Sequence, residues 1–175
     1  VYGLSSEKFN MLKPYIQISE AFRRKQDTLH FIKKAEKDTL AVYKYPEGTL
    51  VDLNEADTTE LKKIPGIGSG IARMIVAYRK RLGGFYDMAQ LKEVNYVDED
   101  MLRWFKLGNA PIHRINANKA GLDKLRSHPY MNFYQAKVII EYRRKKEKLK
   151  SLSQLSLYEE FTEKDLERLS HYLAF

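Results

Sequence analysis

The chain has 175 residues, a formal net charge of +8 and no cysteine. Its 43% hydrophobic content is enough for a packed core, and the missing cysteine excludes disulfide bridges and thiolate metal sites. No apolar run approaches the roughly 18 residues that a membrane-spanning helix needs. The four histidines lack ligand spacing, so we predict no metal site.

The positive charge is distributed unevenly along the chain. Residues 1–49 carry nine basic and six acidic side chains, residues 50–108 carry nine of each, and residues 109–175 carry thirteen basic and eight acidic ones. An excess of positive charge favours a polyanionic partner. The middle segment, which holds the most informative motif, is nevertheless the neutral one.

Residues 1–16 resemble the closing part of a repeat. The spacing Leu4-x4-Phe9-x2-Leu12-x2-Tyr15 is similar to Phe161-x4-Leu166-x2-Leu169-x2-Tyr172 near the end of the chain. We therefore predict that residues 1–16 are the C-terminal remnant of a preceding unit and that the natural protein extends further towards its N-terminus. Residues 17–49 fit no unit. We predict a charged linker there, which could hold a short strand or hairpin in the β-prone stretch 39–45 before a turn at residues 46–48.

Residues 50–108 contain two short amphipathic segments joined by residues 64–68, which read Ile-Pro-Gly-Ile-Gly. Asp57, with Glu60 three residues later, predicts an N-cap and capping box for the first segment. Apolar residues at i, i+3, i+4 and i+7 from Ile71 predict that the second segment is a helix. The pair Gly83-Gly84 predicts where that helix ends.

The sequence repeats itself with a constant offset of 64 residues. We therefore predict two copies of one unit, residues 50–108 and residues 109–175. The identical pairs are Asn54/Asn118, Ala56/Ala120, Leu61/Leu125, Pro65/Pro129, Ala72/Ala136, Ile75/Ile139, Tyr78/Tyr142, Arg79/Arg143, Leu91/Leu155 and Leu102/Leu166.

The link at residues 64–68 has the chemistry of a phosphate site. Glycine accepts a positive φ and has no Cβ to hold a ligand away from the backbone. The first amides of the following helix are unpaired and lie at the positive end of its dipole. Contacts of this kind would hold a nucleic-acid backbone without reading its bases. We predict that the contacts come from Pro65, Gly66, Ile67, Gly68, Ser69 and Gly70, with nearby charge from Lys62, Lys63 and Arg73. The alternative is an economical helix–helix turn with Ile67 packed into the core.

Several segments of the first unit resemble the helix-hairpin-helix domain of ComEA-type competence DNA-uptake proteins. They are residues 52–61, residues 64–68, the spacing Ala72-x2-Ile75-x2-Tyr78-Arg79, and Gly84-Phe85; residues 113–175 resemble the domain more loosely. The resemblance implies an all-α fold of tandem helix-hairpin-helix units, each a small bundle with two hairpins. It also implies non-sequence-specific DNA binding in a DNA-uptake or DNA-handling protein.

The same resemblance implies no small-molecule substrate. It implies no cofactor either, except that the hairpin carbonyls could hold a monovalent cation. A bacterial envelope or periplasm-facing setting is expected on this basis, with any membrane anchor outside this chain.

The resemblance places two hairpins in each unit, and this gives five hairpin positions: residues 1–5, 64–68, 94–98, 128–132 and 158–162. Only residues 64–68 keep both glycines. The second hairpin of each unit is acidic, with Asp98, Glu99 and Asp100 in one and Glu159, Glu160 and Glu163 in the other. Carboxylates at a helix N-terminus satisfy the dipole and repel phosphate. The sequence therefore favours residues 64–68 as the phosphate site.

A basic run near residue 146 is a candidate secondary patch. It contains Arg143, Arg144, Lys145, Lys146 and Lys148. The run could contact the phosphate backbone and compensate for the missing glycines at residues 128–132. The alternative is a solvated helix C-terminus, where cations complement the dipole.

Apolar residues replace the glycines of the second unit. Tyr130, Met131, Phe133 and Tyr134 either pack against the neighbouring unit or form a surface for a protein partner. The second interpretation makes the chain a non-enzymatic scaffold for protein–protein assembly. Burial of these side chains would indicate packing, and exposure would indicate a partner.

We predict that the chain is not an enzyme. Base-excision glycosylases use a similar hairpin and place a catalytic aspartate about 20 residues after it, where this chain has Asp87. Their pocket needs a second helical lobe for the flipped base, whereas this chain continues into another repeat. Asp87 is instead predicted to cap a helix at residues 88–93.

Overall fold

The computed structural model describes residues 6–13 and 43–175, which fall in two compact units, residues 1–42 and residues 43–175. In the first unit, helix α1 spans Ser6–Leu12, and its side chains from Glu7 onwards are exposed. The rest of the predicted remnant, the predicted hairpin at residues 1–5 and residues 17–42 of the predicted linker lie outside the described residues. In the described parts, no helix is both long enough and apolar enough to cross a membrane.

The second unit contains two successive sets of elements of the same kind. The first set is β1 (Val51–Asp52), α2 (Thr58–Leu61), α3 (Ser69–Leu82), a 3₁₀ helix (Met88–Glu93), α4 (Glu99–Leu102) and β2 (Phe105–Lys106). The second set is β3 (Ile115–Asn116), α5 (Leu122–Arg126), α6 (Phe133–Lys145), a 3₁₀ helix (Leu152–Gln154), α7 (Glu163–Ser170) and β4 (Leu173–Ala174). We refer to them as repeat 1 and repeat 2. The helix-rich tandem fold is confirmed.

Short strands correct the all-α prediction. Each repeat is closed by a parallel pair of two-residue strands, with Val51 opposite Phe105 in repeat 1 and Ile115 opposite Leu173 in repeat 2. The predicted β-prone stretch forms no strand over its described residues, 43–45. The turn after it is present, because the Thr49 N–H donates to the Pro46 carbonyl at 3.3 Å.

Hydrogen bonds confirm the 64-residue repeat. In repeat 1 the Asn54 amide donates to the Phe85 carbonyl at 2.9 Å and accepts the Phe85 N–H at 2.8 Å. In repeat 2 the Asn118 amide makes the same pair of bonds to Leu149, both at 2.8 Å. The identical asparagines therefore hold the start of each repeat to the chain that follows its long helix.

The predicted local signals around α3 also form as expected. Asp57 caps α2, and Glu60 closes the capping box. Helix α3 ends at Gly83, whose φ of 93° is left-handed. Each repeat has a core of fully buried side chains. Repeat 1 buries Leu53, Leu61, Ile64, Ile67, Ile75, Leu82, Phe85 and Leu91, and repeat 2 buries Leu125, Ile139, Leu149, Leu155 and Leu169.

Tyr172 of repeat 2 joins the two repeats, because it packs in the core of repeat 1 and is fully buried. Its hydroxyl donates to the Gly84 carbonyl at 2.8 Å and accepts from the Gln90 amide at 2.8 Å. The same Gln90 amide donates to the Tyr130 hydroxyl at 2.8 Å. Burial raises the pKa of Tyr172 above its usual value, so this hydroxyl keeps its proton and remains a donor.

His128 lies at the same junction and is 2% exposed. Its Nδ1 accepts the Tyr130 N–H at 3.2 Å, and its Nε2 therefore carries the proton and donates to the Leu82 carbonyl at 3.0 Å. Burial, followed by the nearby charges of Arg81 and Lys124, lowers the pKa of His128 to about 4. The folded protein thus holds this histidine neutral.

We expect His128 to make the fold sensitive to mild acid. An unfolded histidine binds a proton near pH 6.5, whereas the folded one does so near pH 4. Stability is therefore complete above pH 6.5 and is lost as the pH falls towards 4, by about 3 kcal/mol in total. Urea denaturation between pH 7 and pH 4 would measure this slope. His128→Gln should make the slope shallower and His113→Gln should leave it unchanged; equal slopes in all three proteins would contradict the assignment.

Candidate nucleic-acid interface

Four hairpins in the second unit have the same type of turn. We name them hairpin 1 (residues 64–68), hairpin 2 (94–98), hairpin 3 (128–132) and hairpin 4 (158–162). In each, a backbone N–H donates to the carbonyl three residues earlier. The bonds are Ile67 to Ile64 at 3.1 Å, Val97 to Val94 at 3.2 Å, Met131 to His128 at 3.0 Å and Phe161 to Tyr158 at 3.1 Å. The four hairpins predicted within residues 43–175 are therefore present.

Two of the predicted contact residues support the turn instead of facing solvent. Ile67 is 1% exposed and its N–H is bonded within the turn, so it offers neither its side chain nor its amide to a ligand. Pro65 has no N–H and is half-buried. The packing of Ile67 into the core, which the alternative interpretation expects, is thus present, and DNA contact through the hairpin stays a prediction.

The N-terminus of α3 is bare. Gly68 is its N-cap, no side chain caps it, and its first turn holds no acidic residue. Gly68, Ser69 and Gly70 are exposed, and a Cβ added at either glycine would meet nothing within 4 Å. The first amides of a helix have no partner within it. Hairpin 1 therefore presents unpaired N–H groups that a phosphate oxygen can approach.

Gly66 has a structural role in the turn, unlike Gly68 and Gly70. Its φ of +83° is in the left-handed region, and an added Cβ would lie 3.1 Å from the Met101 Cε. A substitution at Gly66 would thus strain the turn itself. Gly68 and Gly70 are the positions where binding can be tested without disturbing the fold.

The helices after the other hairpins begin with either a side-chain cap or acidic residues. At hairpin 3, Asn132 accepts the Gln135 N–H at 2.9 Å, and the Gln135 side chain accepts the Asn132 N–H at 3.0 Å. At hairpin 4, Thr162 and Asp165 form a capping box. Helix α4 after hairpin 2 begins with two acidic residues. Among the helices of eight or more residues in the described ranges, α3 alone lacks a side-chain cap.

The three predicted cations differ in their exposure and in the groups that they contact. Arg73 is exposed and its Nε donates to the Ser69 carbonyl at 3.2 Å, so its guanidinium lies over the first turn of α3. Lys62 and Lys63 are half-buried, and the Lys63 Nζ lies 5.6 Å from the centroid of the Tyr45 ring. Of the three predicted cations, Arg73 is therefore the exposed one, and it contacts the first turn of α3.

Sequence reasoning missed Lys44. Lys44 is exposed, and its ammonium donates to the Lys62 carbonyl at 2.6 Å and to the Ile64 carbonyl at 3.2 Å. These contacts join residues 18 and 20 positions apart. Helical periodicity and capping patterns report only neighbours within a few positions, so they give no signal for such a contact.

The basic run is divided by the structure. Arg143 is half-buried, and its Nη1 donates to the carbonyls of Ala117 at 3.0 Å and Ala120 at 2.6 Å. Arg79, its counterpart in repeat 1, donates in the same way to the Leu53 carbonyl at 2.8 Å. Arg143 therefore has a structural contact inside the repeat, and it also lines the open cleft beside its exposed neighbours. Its place in a DNA-binding patch stays a prediction.

The remaining members of the run are exposed. Arg144, Lys146 and Lys148 face solvent, and Lys145 pairs with Glu141 at 3.4 Å. Arg144 and Lys148 line an open cleft of about 710 Å³ together with Lys150. The exposed charge is thus concentrated just beyond the C-terminal end of α6.

Asp87 caps the 3₁₀ helix that follows it, as predicted. Its carboxylate accepts the Ala89 N–H at 2.7 Å, and Gln90 completes the capping box. The position of this aspartate after hairpin 1 thus has a structural cause.

The apolar residues of hairpin 3 split into two pairs. Met131 is buried in the core of repeat 2, and Tyr130 packs against the cores of both repeats, so only Tyr130 contributes to packing between the repeats. Phe133 and Tyr134 at the start of α6 are 45% and 67% exposed.

Paired hairpins closed by a short strand ladder define a tandem helical-hairpin module, in which α3 has an uncapped N-terminus. The chain belongs to the helix-hairpin-helix family: the helix-hairpin-helix motif of that family matches residues 47–104 and again residues 111–174. Motifs of this family generally bind DNA.

Two curated relatives are similar to part of the chain. They are the mouse (Mus musculus) and rat (Rattus norvegicus) proteins named endonuclease/exonuclease/phosphatase family domain-containing protein 1, each 26% identical over 154 residues. The match covers 69% of this chain and 27% of each relative, so the chain spans about a quarter of their length. No solved structure matches the chain.

Proposed function

We propose that the chain binds DNA without sequence preference, through the bare amides of hairpin 1. The observation that carries the proposal is the uncapped N-terminus of α3, with Gly68 and Gly70 open to solvent. A phosphate oxygen would accept the free N–H groups and be favoured by the helix dipole. Arg73 adds a positive charge at the same turn. These contacts involve no base edge, so they hold the backbone and carry no sequence information.

Membership of the helix-hairpin-helix family supports this proposal independently of the geometry. The resemblance of residues 52–85 to the ComEA domain suggests the finer role, and we propose a ComEA-like DNA-uptake or DNA-handling protein.

We propose that the chain itself has no catalytic activity. Asp87 is accounted for as a helix cap. The name of the mouse and rat relatives refers to an endonuclease/exonuclease/phosphatase family domain. Because the chain matches only 27% of each relative, we take the likeness as support for a nucleic-acid partner and assign no hydrolysis to this chain.

Binding to several short duplexes of equal length and unrelated sequence tests the proposal. Fluorescence anisotropy should give the same affinity for each within about threefold, because phosphate contacts dominate. The logarithm of the affinity should fall linearly with the logarithm of the salt concentration. A strong preference for one duplex, or no binding at low salt, would contradict the proposal.

We expect the exposed basic run to contribute to the salt dependence. Neutralising Arg144, Lys146 and Lys148 together to glutamine should reduce the magnitude of the slope by about two, if two or three phosphates lose their partners. Neutralising three exposed cations of the second unit outside this run, Lys106, Lys119 and Lys164, provides a control of equal charge. Equal slopes in the two triple variants would favour the solvated helix end.

A protein-assembly role is the second candidate. The exposure of Phe133 and Tyr134 favours it, because these aromatic side chains stand together at the start of α6 with ring centroids 5.6 Å apart. Size-exclusion chromatography with light scattering of the wild type and of a Phe133→Ser, Tyr134→Ser double variant tests self-association. A concentration-dependent mass that the double variant abolishes would support assembly; equal monomeric masses would remove self-association as the role.

A further inference from the structure

The ammonium of Lys44 lies where three backbone carbonyls of hairpin 1 and its approach converge. Its Nζ donates to the carbonyl oxygens of Lys62 at 2.6 Å, Ile64 at 3.2 Å and Ile67 at 3.5 Å. Clustered backbone carbonyls are the ligands that hard cations prefer, and a lysine ammonium offers three donors to such a set. The Lys44 side chain thus occupies the position that a monovalent metal ion would take.

The backbone beside Lys44 is held on the same hairpin. The Tyr45 N–H donates to the Lys63 carbonyl at 2.8 Å, and the Lys63 ammonium lies over the Tyr45 ring. The Ile64 carbonyl also accepts the Ile67 N–H, which closes the turn. The Ile64 carbonyl therefore accepts both the Ile67 N–H and the Lys44 ammonium. The backbone next to Lys44 is itself bonded to hairpin 1 through Tyr45.

Repeat 2 differs at both features. The residue 64 positions after Lys44 is Gly108, which has no side chain, and the helix after hairpin 3 is capped by Asn132. Of the two repeats, the one with the bare helix N-terminus is thus the one with an ammonium at its carbonyls. The Lys44 ammonium at the carbonyls and the free amides at the start of α3 therefore belong to the same hairpin.

We propose that Lys44 is a built-in cation of hairpin 1: a positioning residue that holds the carbonyls of the turn, and through them the amides of α3, in the arrangement that receives a phosphate. The claim that Lys44 holds the carbonyls of the turn is based on the contacts above. The claim that this affects DNA binding rests on the proposed function. Wild-type hairpin 1 then needs no bound metal ion. Removing the ammonium leaves a carbonyl site that Na⁺ or K⁺ can fill.

Thermal melting of Lys44→Ala tests the structural part without DNA. The variant and the wild type are melted in potassium chloride and in tetramethylammonium chloride at equal ionic strength, since tetramethylammonium is too large to enter between the carbonyls. The wild type should melt at the same temperature in both salts. Lys44→Ala should melt lower in tetramethylammonium and recover in potassium. Lys44→Gln provides a second neutral variant with a longer side chain and the same expected pattern.

Anisotropy titrations with a short duplex test the functional part in the same two salts. In tetramethylammonium, Lys44→Ala should bind about tenfold more weakly than the wild type, the effect of losing one charge-assisted contact set. Potassium should restore most of the affinity. Lys62→Ala is the control, because it removes one positive charge just before hairpin 1 and leaves Lys44 in place. Its affinity for the duplex should be reduced by the same factor in both salts.

The outcomes separate the two claims. Equal melting temperatures of Lys44→Ala in both salts, or a wild type whose melting depends on the cation, would overturn the built-in cation. A cation-dependent variant in a protein that binds no DNA would support Lys44 as the cation and overturn the proposed function instead. Cation-dependent melting with cation-independent DNA binding would overturn the link between Lys44 and the amides of α3.

Discussion

Replacing Gly68 by aspartate is expected to lower the affinity for a short duplex by about tenfold or more, while the melting temperature stays equal or rises. Aspartate is a better N-cap than glycine by a few tenths of a kcal/mol, and its Cβ would meet nothing within 4 Å. Its carboxylate would accept the amides of α3 and place a negative charge where a phosphate should bind. Losing one charge-assisted contact of about 1.5–3 kcal/mol corresponds to at least a tenfold weaker complex.

The second repeat offers a matched control. Asn132 stands 64 residues after Gly68 and already caps α6. Asn132→Asp therefore adds the same charge at the corresponding place without touching hairpin 1, and we expect its affinity to stay within about threefold of the wild type. If both variants weaken binding equally, the effect is one of net charge, and the amides of α3 are not the site.

Tyr172→Phe is expected to lower the free energy of unfolding by about 1–3 kcal/mol, although it removes a single oxygen. The change leaves the buried Gly84 carbonyl without its donor and deprives the Gln90 amide of one acceptor. Tyr172→Ala would also lose the ring from the core of repeat 1, at a cost of about 3–5 kcal/mol. Because small domains have only about 5–15 kcal/mol of stability, the alanine variant should lose a large fraction of it.

Urea denaturation measures both variants, with Tyr134→Phe as the control. Tyr134 is 67% exposed, so losing its hydroxyl should change stability by less than about 0.5 kcal/mol. The wild type should unfold in a single transition, because Tyr172 and Gln90 couple the two repeats. Two separate transitions, or a Tyr172→Phe as mild as the control, would show that the repeats are energetically independent.

Features encoded by neighbouring residues could be predicted from the sequence. The cap at Asp57, hairpin 1, the helix end at Gly83 and the cap at Asp87 all depend on residues within a few positions of one another, whereas the resemblance supplied the positions of the other hairpins. The 64-residue offset also predicted the repeat, which the paired bonds of Asn54 and Asn118 confirm.

Features that depend on distant residues could not be predicted in this way. The strand pairs have only two residues each, too few for an alternating pattern to be detected. Lys44 reaches hairpin 1 across 18 to 23 positions. Arg143 looked like part of a surface charge run because its sequence neighbours are charged, but its guanidinium bonds to carbonyls 23 and 26 positions away.

The most direct test of the account is an amide NMR titration of the protein with a short duplex. The largest shift changes are expected on the amides of Gly68, Ser69 and Gly70, with much smaller changes at the corresponding residues of repeat 2, Asn132 to Tyr134. Changes that fall on hairpin 3 or only on the basic run beyond α6, with hairpin 1 unaffected, would contradict it.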